Sequence, residues 1–363
     1  MAENLIYALI YCNILLLAVV VLLFGSIIII RSSKKSKFDN KDFFLKKVTK
    51  SLNRYLIATT EQDELEEVEF DDFQLKKIKK SLYTNNRKDY TTTHLLSLKK
   101  ELFGEMDEAL DHAYTYLSLH EHSLKKTKSI DHSIRVQGFQ ELSIFKSKLG
   151  LSPILKHVNS RNLMLRQEAQ VALVKLSTRE PLSFFRKLVF DITDWEKLLL
   201  YSELTATEFK HATNFEQYLN SPFDGVNSFI IRLCTLFKKI ETMRTIRHLL
   251  KTETSTMVIV AGLIAIREMG DERDITLTKD LMLKHDNDRI KIEGLKTLGS
   301  VEDPNNLDFI TSYLEDPNLQ VQFCAMYALN EITFEVGHYL QAKEAVLSEA
   351  HDLMISHIQN PLN

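Results

Sequence analysis

Glycine and proline are scarce, with 10 and 6 among 363 residues, against average usage of about 7% and 5%. Few turns can need a positive φ, which argues against β-sandwiches and doubly wound sheets and suits paired helices. Cysteine is scarcer still. Cys12, Cys234 and Cys324 lie far apart and form neither a disulfide framework nor a metal-ligand pattern. Buried, reduced thiols are the expectation. A surplus of either charge is missing too: the formal net charge is -3, so whole-chain electrostatics favour no particular partner.

Chemical signatures are equally thin. The chain has no P-loop, no G-x-G-x-x-G, no G-x-S-x-G and no H-E-x-x-H. His120-Glu121-His122 is the best metal-like cluster. Alternate residues on a helix point to different faces, so its two imidazoles cannot easily share one ion. A solvated helix end is the expectation there. Asp111-His112 and Asp131-His132 are no stronger. Phe184, Phe185, Phe190 and Trp195 are expected to fill core rather than to stack on bases or sugars. Asp191 and Asp194 flank a turn beside Trp195. They read as a binding rim or as helix caps, and the cap needs fewer assumptions. No catalytic, cofactor-binding or metal-binding residue is assigned, and the binding face is left open.

One long apolar run is present. Leu5 to Ile30 holds no charge, and 18 of its 26 residues are Leu, Ile, Val or Phe. At about 1.5 Å per residue such a helix exceeds the roughly 30 Å hydrocarbon layer, so a tilted transmembrane span is expected. A cleaved signal peptide is the rival reading. It needs a basic start and a shorter core, and the chain opens Met1-Ala2-Glu3-Asn4. Arg31, Lys34, Lys35, Lys37, Lys41, Lys46, Lys47 and Lys50 follow the run. The positive-inside rule then places residues 1–4 outside and everything after Ile30 in the cytoplasm of a single-pass inner-membrane protein. The same cations could touch anionic lipid headgroups. Asn13 could hydrogen-bond a second membrane helix.

Residues 31–72 divide into this basic stretch and an acidic one. Lys41 to Ala58 reads as a helix with Phe44, Val48, Leu52 and Tyr55 on one face. Glu61 to Asp72 carries eight acids and reads as a solvated linker. Residues 73–130 read as a helical cap or as degenerate repeats. A helix carries Phe73, Leu75, Ile78 and Leu82, Asn85 and Asn86 mark a loop, and Thr91–Phe103 and Met106–Leu119 form a hairpin around Gly104. Residues 337–363 read as a capping helix from Tyr339 to Ile358, with Pro361 beyond it.

Between Asp131 and residue 336 a short pattern recurs. A small anchor precedes a leucine-like residue by four positions in Gly138/Leu142, Ala169/Leu173, Leu200/Leu204, Arg232/Leu236, Gly262/Ile266, Gly294/Leu298 and Ala325/Leu329. The anchors are 31, 31, 32, 30, 32 and 31 residues apart, the mark of stacked supersecondary units. Leu200 and Arg232 fit the spacing but not the residue type. Thirty-one residues hold two helices of roughly 10 to 13 residues with tight turns. In Asp286 to Leu298, the residues Asp286 to Asp288 offer N-cap side chains, and Ile290 or Ile292, Leu295 and Leu298 follow at helical spacing. A small anchor would let one helix backbone approach its neighbour.

Residues Leu163–Leu173, Arg289–Leu298 and Asp316–Leu329 carry a resemblance to the HEAT-repeat family of α-solenoids. The aliphatic-basic pair that opens each second helix of that family stands here as Ile134-Arg135, Leu165-Arg166 and Ile290-Lys291, while Val321-Gln322 keeps only the aliphatic residue. The resemblance implies an all-α solenoid with a ladder of turn acids and basic residues, in which Asp286 and Lys291 would take part. It also implies a scaffold or adaptor that binds a protein partner. With the expected anchor, that partner would be membrane-associated, for example a glycosyltransferase, though no residue points to that enzyme. Other proteins of this kind are bilin lyases or DNA glycosylases. No pigment groove is locatable, and balanced charge disfavours nucleic acid. A passive spacer is the third possibility. The expectation is a non-enzyme without cofactor.

Overall fold

A computed structural model describes residues 19–20, 22–26, 41–59, 72–102, 104–177, 179–206, 214–343 and 349–358. The expected all-α class holds: among the described residues there is no strand. The expected span over Leu5–Ile30 falls mostly outside the described residues, as do Cys12, Asn13 and the acidic residues 61–71. Within the span, residues 19–20 and 22–26 are described, and they are helical. Among the described residues no helix is long and apolar enough to cross a membrane. The single-pass inner-membrane placement is therefore corrected and not carried further.

The chain divides into two compact units, residues 1–150 and 151–363. In the first, α1 (41–59) buries Phe44, Val48, Leu52 and Tyr55 as the periodicity predicts. They share a core with Leu75, Ile78 and Leu82 around α2 (Asp72–Ser81), while Phe73 is exposed. Helix α3 (Asn85–Lys99) begins six residues before the expected Thr91, because the Thr84 hydroxyl caps it by accepting from Arg87 N at 3.3 Å. Asn85 and Asn86 are therefore its first turn rather than a loop. Gly104, at φ 67°, takes the left-handed turn before α4 (Glu105–Tyr116), a conformation that glycine adopts at little cost. Helices α5 (Leu119–Lys126) and α6 (His132–Ile144) then pack as a pair. Gly138 makes this possible, since a Cβ there would lie 2.8 Å from Ser123 O and 2.9 Å from Lys126 Cβ.

In the second unit, α7 (Leu151–Leu155) pairs with α8 (Leu163–Leu176), α11 (Met243–Thr252) with α12 (Thr256–Met269), α13 (Asp274–Lys284) with α14 (Asp288–Gly299), and α15 (Leu307–Thr311) with α16 (Leu319–Thr333). Helices α9 (Asp194–Ala206) and α10 (Asp224–Leu236) have no full partner. In front of them stand single 3-10 turns, Ser183–Lys187 and Glu216–Tyr218. Here the expected pair of 10- to 13-residue helices fails. Buried aromatics take the missing helices' volume: Phe184, Phe185, Phe215 and Tyr218 are enclosed, with Phe185 edge-on to Tyr218 and Phe229.

The second helices pack in sequence order, α8 on α9, α10 on α12, α12 on α14, and α14 on α16. The glycine anchors face the first helix of their own pair. A Cβ on Gly262 would run into Leu250 of α11, and one on Gly294 into Met282 of α13. At the far end α17 (Val336–Ala342) and α18 (Glu349–Ile358) both pack on α16. Between them lie residues 344–348, outside the described ones, and Leu353, expected on the apolar face, is exposed.

Polar side chains repeat along with the helices. In the second unit Arg166, Asn227 and Gln322 each donate to a backbone carbonyl six residues earlier, on Ser160, Ser221 and Asp316. Arg135 does the same to Ser129 in the first unit. Lys291 bridges Asp286 at 2.8 Å and Asp316 at 3.0 Å, and these carboxylates hold its ammonium pKa above the ordinary range. Asn287, within the Asp286–Asp288 turn, caps α14 by accepting from Arg289 N at 3.0 Å.

Candidate interaction groove

The unit's regular stacking loosens between α9 and α10. Helix α10 packs closely on α12 but only lightly on α9. The opening is a groove of 860 Å³ over α10, walled by α9 and α12 and reaching the first turn of α14. Phe229, Val260 and Ile264 line its floor. Four apolar side chains stand exposed along it: Leu198 at 55%, Tyr201 at 38%, Leu236 at 40% and Met257 at 43%. An apolar cluster open to solvent at one place, rimmed by charge, marks an interaction surface more than scattered surface leucines do.

Charged groups form the rim. Lys197 donates to Asp194 at 3.0 Å and lies 3.2 Å from Met257 Sδ, tying α9 to α12. That hydrogen bond, helped by charge, keeps the Asp194 carboxyl below its ordinary pKa. Lys238 meets Glu268 at 2.8 Å and lowers its pKa in the same way. Arg232 and Arg289 complete the set.

The groove accounts for one departure from sequence expectation. Arg232 and Leu236, which keep the repeat's spacing though Arg232 does not fit its residue type, are both exposed and line it. The buried face of α10 lies one residue earlier, at Ile231 and Thr235. That choice spaces Leu200, Ile231 and Gly262 by 31 residues each. Trp195, expected in the core, is 58% exposed on α9, and Phe190 is also exposed, whereas Phe184 and Phe185 are buried as expected. Asp194 does stand on the groove rim. Asp191 has the capping role instead: its carboxylate accepts from Ile192 N and Gly225 N, both at 2.8 Å, joining the start of α9 to that of α10.

The histidine cluster is not a solvated helix end. His122 is buried and lies 2.9 Å from Asp89, which also pairs with Lys126. Lys126 in turn holds the fully buried Glu141 at 2.6 Å, and Ser123 and Gln137 donate to the same carboxylate. His120 points elsewhere, edge-on to Tyr114. Every charge in this network has a partner, so it fastens α3, α5 and α6 together. His112, from Asp111-His112, lies 3.1 Å from the Tyr55 hydroxyl. Asp131 caps α6 by accepting from Ser133 N at 2.8 Å. Among the described residues no group of three His, Cys, Asp or Glu could hold a metal ion. Cys234 and Cys324 are buried and free, and burial pushes the Cys234 thiol up to about 11.

A smaller cleft of 480 Å³ in the first unit is lined by Lys47, Lys77, Lys80 and Arg87. Lys77 and Arg87 lie over the Phe73 and Tyr83 rings, at 4.0 and 4.2 Å. It lacks the row of exposed aliphatic side chains found over α10. No protein-family model matches the chain, and no curated protein matches it in sequence.

Proposed function

We propose that the chain is an interaction scaffold of the HEAT-repeat kind and that the groove over α10 is where a protein partner binds. The supporting observation is the coincidence of three features at one place. The stack opens, apolar side chains stand exposed, and Tyr201 and Arg232, residue types enriched at binding hot spots, line the opening. Stacked helices present such surfaces because each unit packs only on its neighbours and leaves one long face free.

Enzymatic readings find less support here. A DNA-processing groove needs a continuous run of cations for phosphate contacts, and Asp194 and Glu268 interrupt the rim. The test is affinity purification of the tagged full chain from its own cells beside a Leu198→Asp, Leu236→Asp variant. A protein retained by the native chain and lost with the variant is the expected result. Identical recoveries from both would sink the proposal.

A further inference from the structure

We infer that the occupant of the groove is an acidic amphipathic helix of the partner, an inference that rests on the interaction reading above and adds the chemistry of what is bound. The charges supply the first step. Lys197, Arg232, Lys238 and Arg289 line the groove against Asp194 and Glu268 only. Both carboxylates are already engaged, with Lys197 and Lys238. Arg232 acts on Asp194 only through space, helping to lower its pKa. Among the described residues no carboxylate lies within ion-pair distance of Arg232 or Arg289. A site with two uncommitted guanidinium groups at its edge and an apolar floor fits a ligand with the reverse pattern: an apolar strip flanked by carboxylates. Guanidinium binds carboxylate through two parallel hydrogen bonds, which fixes orientation as well as adding attraction.

Backbone chemistry supplies the second step. An extended peptide gains affinity by adding to a sheet edge, where its N–H and C=O groups find partners. The walls here are helices, whose interior backbone groups are already paired. An extended segment on this floor would leave its own backbone groups unpaired away from water, which is costly. A helix satisfies its backbone internally and presents only side chains. The length agrees: from Ser228 to Leu236 the α10 floor spans nine residues, or roughly 12 Å at 1.5 Å per residue, a little over two turns. Met257 on the wall adds an unbranched side chain that adjusts to the shape of the apolar strip.

The experiment is selection of a phage-displayed library of random 16-residue peptides on the immobilised full chain. The selected peptides are then measured by fluorescence anisotropy against the native chain, an Arg232→Glu, Arg289→Glu variant and a Leu236→Asp variant. All three substituted residues are exposed, and circular dichroism confirms that the variants stay folded. The expected peptides carry Leu, Ile, Met or Phe at i, i+3 or i+4, and i+7, with Asp or Glu beside them. They lose at least tenfold in affinity with either variant and weaken as salt rises. Neutral or basic peptides that are lost with Leu236→Asp but not with the arginine variant would overturn the acidic helix and leave the groove as a binding surface. Peptides that ignore all three substitutions, or a failure to enrich any peptide, would overturn both.

Discussion

Helices α12, α14 and α16 and helices α9 and α10 belong to one stack, yet they solve the same packing problem differently. In the first group each helix has a full or nearly full partner in front of it, and Gly262 and Gly294 admit Leu250 and Met282 into the space where a Cβ would stand. Interdigitation of that kind closes the junctions. In the second group the partners, among the described residues, are single 3-10 turns, Leu200 fills the anchor position, and Arg232 turns outward. Ion pairs follow the same division. Arg267–Glu293 links α12 to α14, and Arg166–Glu196 links α8 to α9, but among the described residues none links α9 to α10. A break in the repeat is thus a place where adhesion between neighbours has been exchanged for open surface.

The largest expected effects test whether anchor size alone makes the difference. If small anchors simply tightened the stack, Leu200→Ala would stabilise the α8–α9 region. Leu200 is fully buried, so the substitution should instead cost about 2–5 kcal/mol through lost burial and a cavity. Leu298→Ala in the regular part should cost a similar 2–5 kcal/mol, since Leu298 is equally enclosed. Amide exchange followed by mass spectrometry, peptide by peptide, reads both without assuming that the two units unfold together. Protection gained around α9 in Leu200→Ala would break the comparison. Next in size is Gly262→Val, which forces bulk against Leu250 and should cost about 1–3 kcal/mol. Its faster exchange should be confined to α11 and α12.

Much of the stack was legible because its determinants are local and periodic. Phe44, Val48, Leu52 and Tyr55 needed only helical spacing, and Gly138, Gly262 and Gly294 needed only a period of about 31. The 3-10 turns were not legible, because aromatic side chains from separate segments, Phe185 and Phe229 among them, replace a helix without leaving any period. Arg232 misled for a related reason. A fixed spacing predicts which residue is an anchor only if the helix keeps its rotation, and α10 is turned by one residue, with Ile231 inward. His122 looked solvated because its partner Asp89 is 33 residues away. The groove itself was visible only as noise in the repeat, at the two anchors that did not fit.

A smaller effect sharpens the electrostatic side of the contrast. Burial would raise the pKa of Glu196, but hydrogen bonds from Arg166 and Thr193 outweigh it and hold the carboxyl below its ordinary 4.5. A depressed folded pKa stabilises the fold above the ordinary value, and that stability is lost as pH falls through the folded value. The α8–α9 junction should therefore loosen in acid, and Glu196→Gln should remove part of that dependence. Near neutral pH the same substitution should cost about 1–3 kcal/mol by stripping Arg166 of its partner. Exchange rates in α8 and α9 from pH 7 down to about pH 3, below the ordinary carboxyl value, corrected for intrinsic rates, measure both. Equal pH dependence in the variant would detach Glu196 from the acid response.

The smallest expected change lies on the groove rim. Lys238 and Glu268 are both exposed, with side chains 57% and 43% accessible, so solvent screens the pair and holding two long side chains in place offsets much of the attraction. Lys238→Ala should shift stability by less than about 1 kcal/mol, and the Glu268 pKa should rise toward its ordinary value, because Lys238 is the main cause of its lowering. Proton-carbon NMR titration of the Glu268 side chain, together with exchange rates in α10 and α12, checks both parts. A stability loss well above that figure would mean that rim charges hold α10 to α12. The rim would then belong to the adhesion of the stack, and its charges would no longer be free to choose a ligand.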